Sequence, residues 1–131
     1  MHSGVLGWVA FITYGSFYWL IPRLWKVKEM YSQRLIAWHY WIATLGIVFY
    51  ITSMWVAGIM EGLMWRAFDR LGFLQYSFIE SVVAVHPFYV IRLLGGVMFL
   101  TGALIMIYNV WMTVNKGEPV SANLRPAVVG G

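Results

Sequence analysis

Residues 1–22 read MHSGVLGWVAFITYGSFYWLIP and contain no charged side chain. At about 1.5 Å per residue, an α-helix of this length spans roughly 30 Å, the thickness of the hydrocarbon core of a bilayer. Because lipid offers the backbone no hydrogen-bond partners, such a run has to be helical. The stretch therefore predicts a membrane-spanning helix with a histidine, His2, at its start.

The composition of the whole chain indicates the same surroundings. Of 131 residues, 61% are hydrophobic and 11% are charged, and the mean hydropathy is +0.72. Soluble domains carry about 25% charged residues, so the solvent of this chain is lipid. The net charge is +4, but the basic residues lie between the apolar runs, where they set membrane orientation, and we expect no nucleic-acid partner. The absence of cysteine excludes disulfides and thiol chemistry.

Two further apolar runs are long enough to cross the bilayer. One covers residues 35–60, and the other covers about 87–115 and is uncharged after Arg92. Since the first run has neither a basic n-region nor a small-residue cleavage site, we read it as a retained span and not as a signal peptide. The sequence thus predicts an all-α membrane domain over 1–115, with three transmembrane helices at about 1–22, 35–60 and 87–115.

The prolines and connections complete this outline. We expect Pro22 to close the first helix and Pro87 to lie in the first turn of the third, where a missing N–H is harmless. The connection 61–86 alternates apolar and charged residues and is expected to lie on the membrane surface or against a partner, with a candidate short helix at 77–85. Residues 116–131 contain two prolines and two terminal glycines and are expected to form a poorly ordered cytoplasmic tail.

The charges of the connections predict the topology. Residues 23–34 carry four basic side chains and one acidic one, whereas 61–86 carry two basic and three acidic ones. By the positive-inside rule, the first connection and the C-terminus face the cytoplasm, and the N-terminus faces the other side.

Small residues mark possible contact faces between helices. Ser3 and Gly7 are four residues apart, and Gly95, Gly96 and Gly102 lie in the third run. Small side chains let neighbouring helices approach closely, and ordinary helix packing is the favoured interpretation of these glycines.

Three histidines are candidates for chemistry. The imidazole of His2 could bind iron or copper through a neutral nitrogen, although composition alone favours a boundary residue hydrogen-bonded to a carbonyl or water. His39, flanked by aromatic residues, is interpreted as an interfacial anchor of an aromatic belt. His86 is interpreted as making contacts at the start of the third helix.

Arg92 lies about one and a half turns into the third span, on the same side of the membrane as His2. A cation at that depth either extends outward to water or pairs with a buried anion, such as Glu61, Glu80 or the carboxylate of a cofactor. The chain shows no phosphate loop, no cluster of metal-binding histidines and no nucleophile–base pair, so it contains no self-contained active site.

Six strings carry a family resemblance: HSGVLGW (2–8), WHYWIAT (38–44), MWVAG (54–58), GLMWR (62–66), LGFLQYSF (71–78) and HPFY (86–89). They resemble subunit I, the catalytic subunit, of cbb3-type cytochrome c oxidases, which are haem–copper oxidases. The resemblance covers about residues 1–115. That subunit has twelve transmembrane helices, and this chain resembles the last three.

The resemblance implies roles for two residues. In the family, a His-Val-His-Ser-Gly string holds one axial ligand of each of two haems, and His2 matches the second histidine, which binds the iron of the low-spin haem b. The first histidine, the ligand of the high-spin haem, would precede Met1. Arg92 matches an arginine near the haem propionates. Haem b is the expected cofactor, while the high-spin haem and copper belong to the complete subunit.

The implied function is that of the C-terminal part of a terminal respiratory oxidase, which transfers electrons from cytochrome c to oxygen and pumps protons. The implied partners are membrane lipid, the remaining helices of subunit I and c-type cytochrome subunits, in a bacterial inner membrane with the N-terminus toward the periplasm. Without the high-spin haem and copper ligands, the chain is not expected to be active alone. A catalytically inactive stand-alone three-helix membrane protein, a gene remnant and a split enzyme stay open as alternatives.

Overall fold

A computed structural model describes residues 1–120 of the chain. A π-helical segment, Ser3–Val9, continues directly into helix α1, Ala10–Leu24; α2 is Gln33–Arg66 and α3 is Phe78–Lys116. All three spans are long and apolar enough to cross a membrane. The prediction of an all-α membrane protein with three transmembrane helices is confirmed.

Helix α3 begins nine residues before Pro87, because a capping box starts it at Phe78. The Glu80 N–H donates to the Ser77 hydroxyl over 3.3 Å, and the Ser77 N–H donates to the Glu80 carboxylate over 2.7 Å. These two bonds satisfy donors that a helix N-terminus otherwise leaves free. The expected placement of Pro87 in the first turn is therefore wrong, and the candidate short helix at 77–85 is the beginning of α3.

The other two helices are also longer than expected. Pro22 lies inside the last turn of α1, which ends two residues later at Leu24, so the proline does not end the helix where it was expected to. Helix α2 runs on to Arg66, beyond the expected end at residue 60. The connection between α2 and α3 is accordingly shorter than 61–86.

Helices α2 and α3 are antiparallel and form the main packed pair, and two glycines lie where their backbones meet. A Cβ atom built on Gly46 would lie 2.7 Å from the Gly95 carbonyl oxygen, and one built on Gly95 would lie 2.5 Å from the Gly46 oxygen. Real Cβ atoms do not tolerate such distances, so this crossing requires glycine on both helices. The expected contact role is confirmed for Gly95 and Gly102, whereas a Cβ on Gly96 would meet open space.

The connection between α1 and α2 is fixed to the far end of α3. Asn109, fully buried, accepts a hydrogen bond from the Ser32 N–H and donates one to the Ser32 carbonyl. The Thr113 hydroxyl, also buried, accepts from the Tyr31 N–H over 2.9 Å. Residues 26–28 also pair with 118–120 through two backbone hydrogen bonds and an ion pair between Lys28 and Glu118. Residues 121–131 of the expected tail lie outside the described range.

The connection between α2 and α3 is a small hairpin-like turn. The Asp69 carboxylate accepts from the N–H groups of Leu71 and Phe73, and Gly72 adopts a positive φ of 83°. Its apolar side chains, including Phe68 and Leu71, are exposed. The suggestion that this connection lies on a membrane surface or against a partner stays a prediction.

Candidate functional site

His2 lies at the beginning of the π-helical segment, and its side chain is exposed. The imidazole contacts the ring of Tyr50 on α2, with 5.4 Å between ring centroids and 49° between ring planes. An exposed imidazole in this position leaves its nitrogens accessible to a group bound from outside the three helices. His2 therefore faces outward from the bundle, beside an aromatic residue that the sequence analysis did not single out.

Arg92 reaches the same ring from α3. Its guanidinium carbon lies 5.7 Å from the centroid of Tyr50 and 5.6 Å from that of Tyr89, within the range of a cation–π contact. Tyr50 thus links His2 with Arg92, and three helices contribute one residue each. The structure brings together the two site residues that the resemblance implied.

A groove of about 180 Å³ between α2 and α3 continues from Arg92 to Glu61. Arg92 and Glu61 both line this groove but form no ion pair with each other. In residues 1–120, the ion pair between Lys28 and Glu118 is the only one found. Glu80 uses its carboxylate in the capping box of α3. Of the two acidic side chains considered as partners of Arg92, neither forms an ion pair with it in this part of the chain, and the Arg92 side chain is exposed.

His39 occupies a different position from the interfacial anchor that the sequence predicted, because its side chain is only 3% exposed. Its Nδ1 lies 2.6 Å from the hydroxyl of Tyr18 on α1, and its ring stands edge-on to that of Tyr14 at 4.8 Å. On the other side it packs against Gly102 of α3, where a Cβ would come within 3.1 Å of the imidazole. His39 joins all three helices, whereas the flanking Trp38, Tyr40 and Trp41 point outward.

His86 is exposed on α3 and does not join the cluster of His2, Tyr50 and Arg92. No group of three or more His, Cys, Asp or Glu side chains that could hold a metal ion is found in residues 1–120. Any metal bound through His2 would therefore need ligands from a cofactor or from another part of a protein. An imidazole and a guanidinium beside one ring suit an iron porphyrin with carboxylate substituents, because they offer one nitrogen ligand and one anion-binding fork.

Tyr50 is the site residue that sequence reasoning missed. Tyrosine, tryptophan and phenylalanine make up 18% of the chain, so one more tyrosine in an apolar run carries no signal of its own. A signal was present in Gly46, one helical turn earlier, since small residues mark the face on which a neighbouring helix approaches.

Comparison with known proteins identifies the family of the chain. The family described as "Cytochrome C and Quinol oxidase polypeptide I" matches residues 1–98. The chain is 60% identical over 131 residues to the "Cytochrome c oxidase subunit 1 homolog" of Azorhizobium caulinodans, covering 97% of this chain and 24% of that protein. It is 62% identical over 118 residues to the "Cytochrome c oxidase subunit 1 homolog, bacteroid" of Bradyrhizobium diazoefficiens, covering 90% and 22%.

A third relative specifies the type of oxidase. The chain is 50% identical over 119 residues to the "Cbb3-type cytochrome c oxidase subunit CcoN1" of Stutzerimonas stutzeri, covering 91% of this chain and 25% of that protein. The chain thus spans about a quarter of the length of the curated relatives it matches. It belongs to the cytochrome c and quinol oxidase polypeptide I family, and it resembles the cbb3-type members of that family.

Proposed function

We propose that this chain is the C-terminal part of the catalytic subunit of a cbb3-type cytochrome c oxidase and supplies one axial ligand of the low-spin haem b through His2. The observation that carries the proposal is the meeting of His2, Tyr50 and Arg92, each from a different helix. The family assignment and the name of the cbb3-type relative agree with it.

The chemistry of the two polar residues fits a haem. A neutral imidazole nitrogen is a common axial ligand of haem iron, and the guanidinium fork of Arg92 is suited to a carboxylate such as a propionate. When bound, the haem supplies one-electron transfer. His2 would hold the iron and tune its reduction potential, and Arg92 would balance negative charge at the edge of the macrocycle.

The rest of the proposal concerns the assembly. The remaining helices of subunit I would provide the second ligand of haem b, the ligand of the high-spin haem and the copper ligands. Partner subunits with c-type haems would deliver the electrons used to reduce oxygen. The charge bias of residues 23–34 supports a cytoplasmic position for that connection and for the C-terminus. In a bacterial inner membrane, His2 and Arg92 would then lie toward the periplasm.

The test is His2→Ala in an assembled oxidase that contains this chain. We expect the variant to lose the absorption and electron paramagnetic resonance (EPR) signals of the low-spin haem b, because iron would lose an axial nitrogen. The matched control is His86→Ala, which removes an exposed histidine outside the cluster and should leave both signals intact. Retention of the low-spin haem b signals in His2→Ala would refute the ligand role of His2.

A further inference from the structure

We propose that Tyr50 is a positioning residue of this site and that its ring sets the orientation of the His2 imidazole. The inference rests on the proposed haem role of His2 and extends it to a residue that neither the sequence pattern nor the family resemblance singled out. The structure supports it in two steps: the backbone of Tyr50 is fixed, and its ring contacts the two polar residues of the site.

The backbone of Tyr50 is fixed by the tightest crossing of α2 and α3. A Cβ built on Gly95 would lie 2.8 Å from the Tyr50 nitrogen and 3.1 Å from the Tyr50 Cβ. One turn earlier, the backbone of Gly46 meets that of Gly95 in the same way. Because two glycines are needed for this approach, Tyr50 has little freedom to shift relative to α3.

The same crossing places Arg92 opposite Tyr50. Arg92 precedes Gly95 by three residues, so the two share one face of α3, as Gly46 and Tyr50 share one face of α2. The Tyr50 ring is consequently held where it contacts the guanidinium of Arg92 at 5.7 Å and the imidazole of His2 at 5.4 Å. The Tyr50 ring, whose backbone is fixed on α2, thus contacts the His2 side chain at the start of the first span.

The ring can orient His2 because tyrosine is large and has few rotatable bonds. The Tyr50 ring, 5.4 Å from the imidazole between centroids and tilted by 49°, limits rotation of the imidazole on the side that faces it. The angle of an axial imidazole influences the electronic structure and the potential of the iron it binds, which are properties that the protein controls through its second layer of contacts. The phenolic oxygen is not required for this role.

The experiment compares Tyr50→Leu with Tyr50→Phe in the assembled, haem-loaded oxidase. We expect Tyr50→Leu to keep haem b but to shift its EPR g-values and its midpoint potential, because the imidazole is free to rotate. Tyr50→Phe retains the ring and should match the wild type in both measurements. Tyr108→Leu is the matched control, since Tyr108 is an exposed tyrosine on α3 away from the cluster, and it should change neither measurement.

Loss of haem b from an otherwise assembled Tyr50→Leu oxidase, with retention in Tyr50→Phe, would also support the positioning role. If Tyr50→Leu does not assemble, Tyr50→Trp replaces it, because a larger ring at the same place should displace the imidazole and shift the same two signals. The positioning role of Tyr50 is overturned if the assembled Tyr50→Leu oxidase, or the Tyr50→Trp oxidase used in its place, keeps the wild-type g-values and midpoint potential. If His2→Ala still loses haem b, the ligand role of His2 stands. Retention of haem b in His2→Ala would overturn the ligand assignment as well.

Discussion

Gly46 and Gly95 touch through their backbones, and neither position has room for a Cβ atom. At this point no side chain separates α2 from α3. The contact also restricts the register of the two helices, since a shift of α2 by one residue would bring the side chain of Leu45 or Ile47 against Gly95. The cluster of His2, Tyr50 and Arg92 depends on that register.

The first prediction concerns this crossing. Gly95→Ala should lower the free energy of unfolding by about 1–3 kcal/mol, as expected when a well-packed contact is overfilled. The measurement is equilibrium unfolding of the chain in detergent micelles. Gly96→Ala is the control, because a Cβ there meets open space and alanine favours the helix. Equal effects of the two substitutions would contradict the packing role of Gly95.

The second prediction concerns the buried imidazole of His39. Tyr18→Phe removes the hydroxyl that lies 2.6 Å from its Nδ1 and should destabilise the three-helix unit by about 1–2 kcal/mol. Tyr14→Phe keeps the edge-on ring contact and should have a much smaller effect. A double variant, Tyr18→Phe with His39→Phe, should recover part of the loss, because no buried polar group is then left without its partner. Thermal unfolding of the wild type and the three variants checks these differences.

The third prediction concerns the connection between α1 and α2. Asn109→Leu preserves side-chain size but removes both hydrogen bonds to the Ser32 backbone, at a cost of about 2 kcal/mol or more. We expect faster amide exchange at Ser32 and faster tryptic cleavage after Arg34. Asn115→Leu is the control, because Asn115 is exposed and donates only within its own helix. Unchanged exchange at Ser32 in Asn109→Leu would show that the connection is held by other contacts.

The fourth prediction applies to Arg92 under the proposed haem role. Arg92→Gln should lower the midpoint potential of haem b, because a nearby positive charge favours the reduced form, which carries one positive charge fewer. The effect should be on the order of 1 kcal/mol at an effective dielectric constant of about 20. Arg92→Lys keeps the charge and should shift the potential less. Redox titration of the assembled oxidase measures both, and a rise in potential for Arg92→Gln would contradict the proposal.

Particular residues show what the sequence could predict and what it could not. The number and type of spans follow from uncharged runs of membrane length, and the resemblance implied roles for His2 and Arg92, which stay proposals. The start of α3 also has a local sequence signal, since Ser77 and Glu80 have the spacing of a capping box, whereas Pro87 indicates a first turn further along the chain. Local chemistry at the helix terminus determined the boundary.

The burial of His39 and the role of Tyr50 could not be read in the same way. Bulky apolar residues surround every turn of these helices, so no hydrophobic stripe distinguishes the packed face from the lipid-facing one. Which face is buried is decided by contacts between distant segments, such as His39 against Gly102. Glycine positions on paired helices carry more of that information than hydrophobicity does in a chain of this kind.

The π-helical segment Ser3–Val9 has a consequence for the direction in which His2 points. Its last bond runs from the Ala10 N–H to the Val5 carbonyl, so the backbone there winds more widely than in α1. Each residue of a wider turn rotates less about the helix axis, and the deficit accumulates over the seven residues. The azimuth of His2 is therefore offset from the one that an unbroken α-helix would give it. A change that restored α-helical winding here would rotate the imidazole around the axis and away from Tyr50 without altering a single residue of the site.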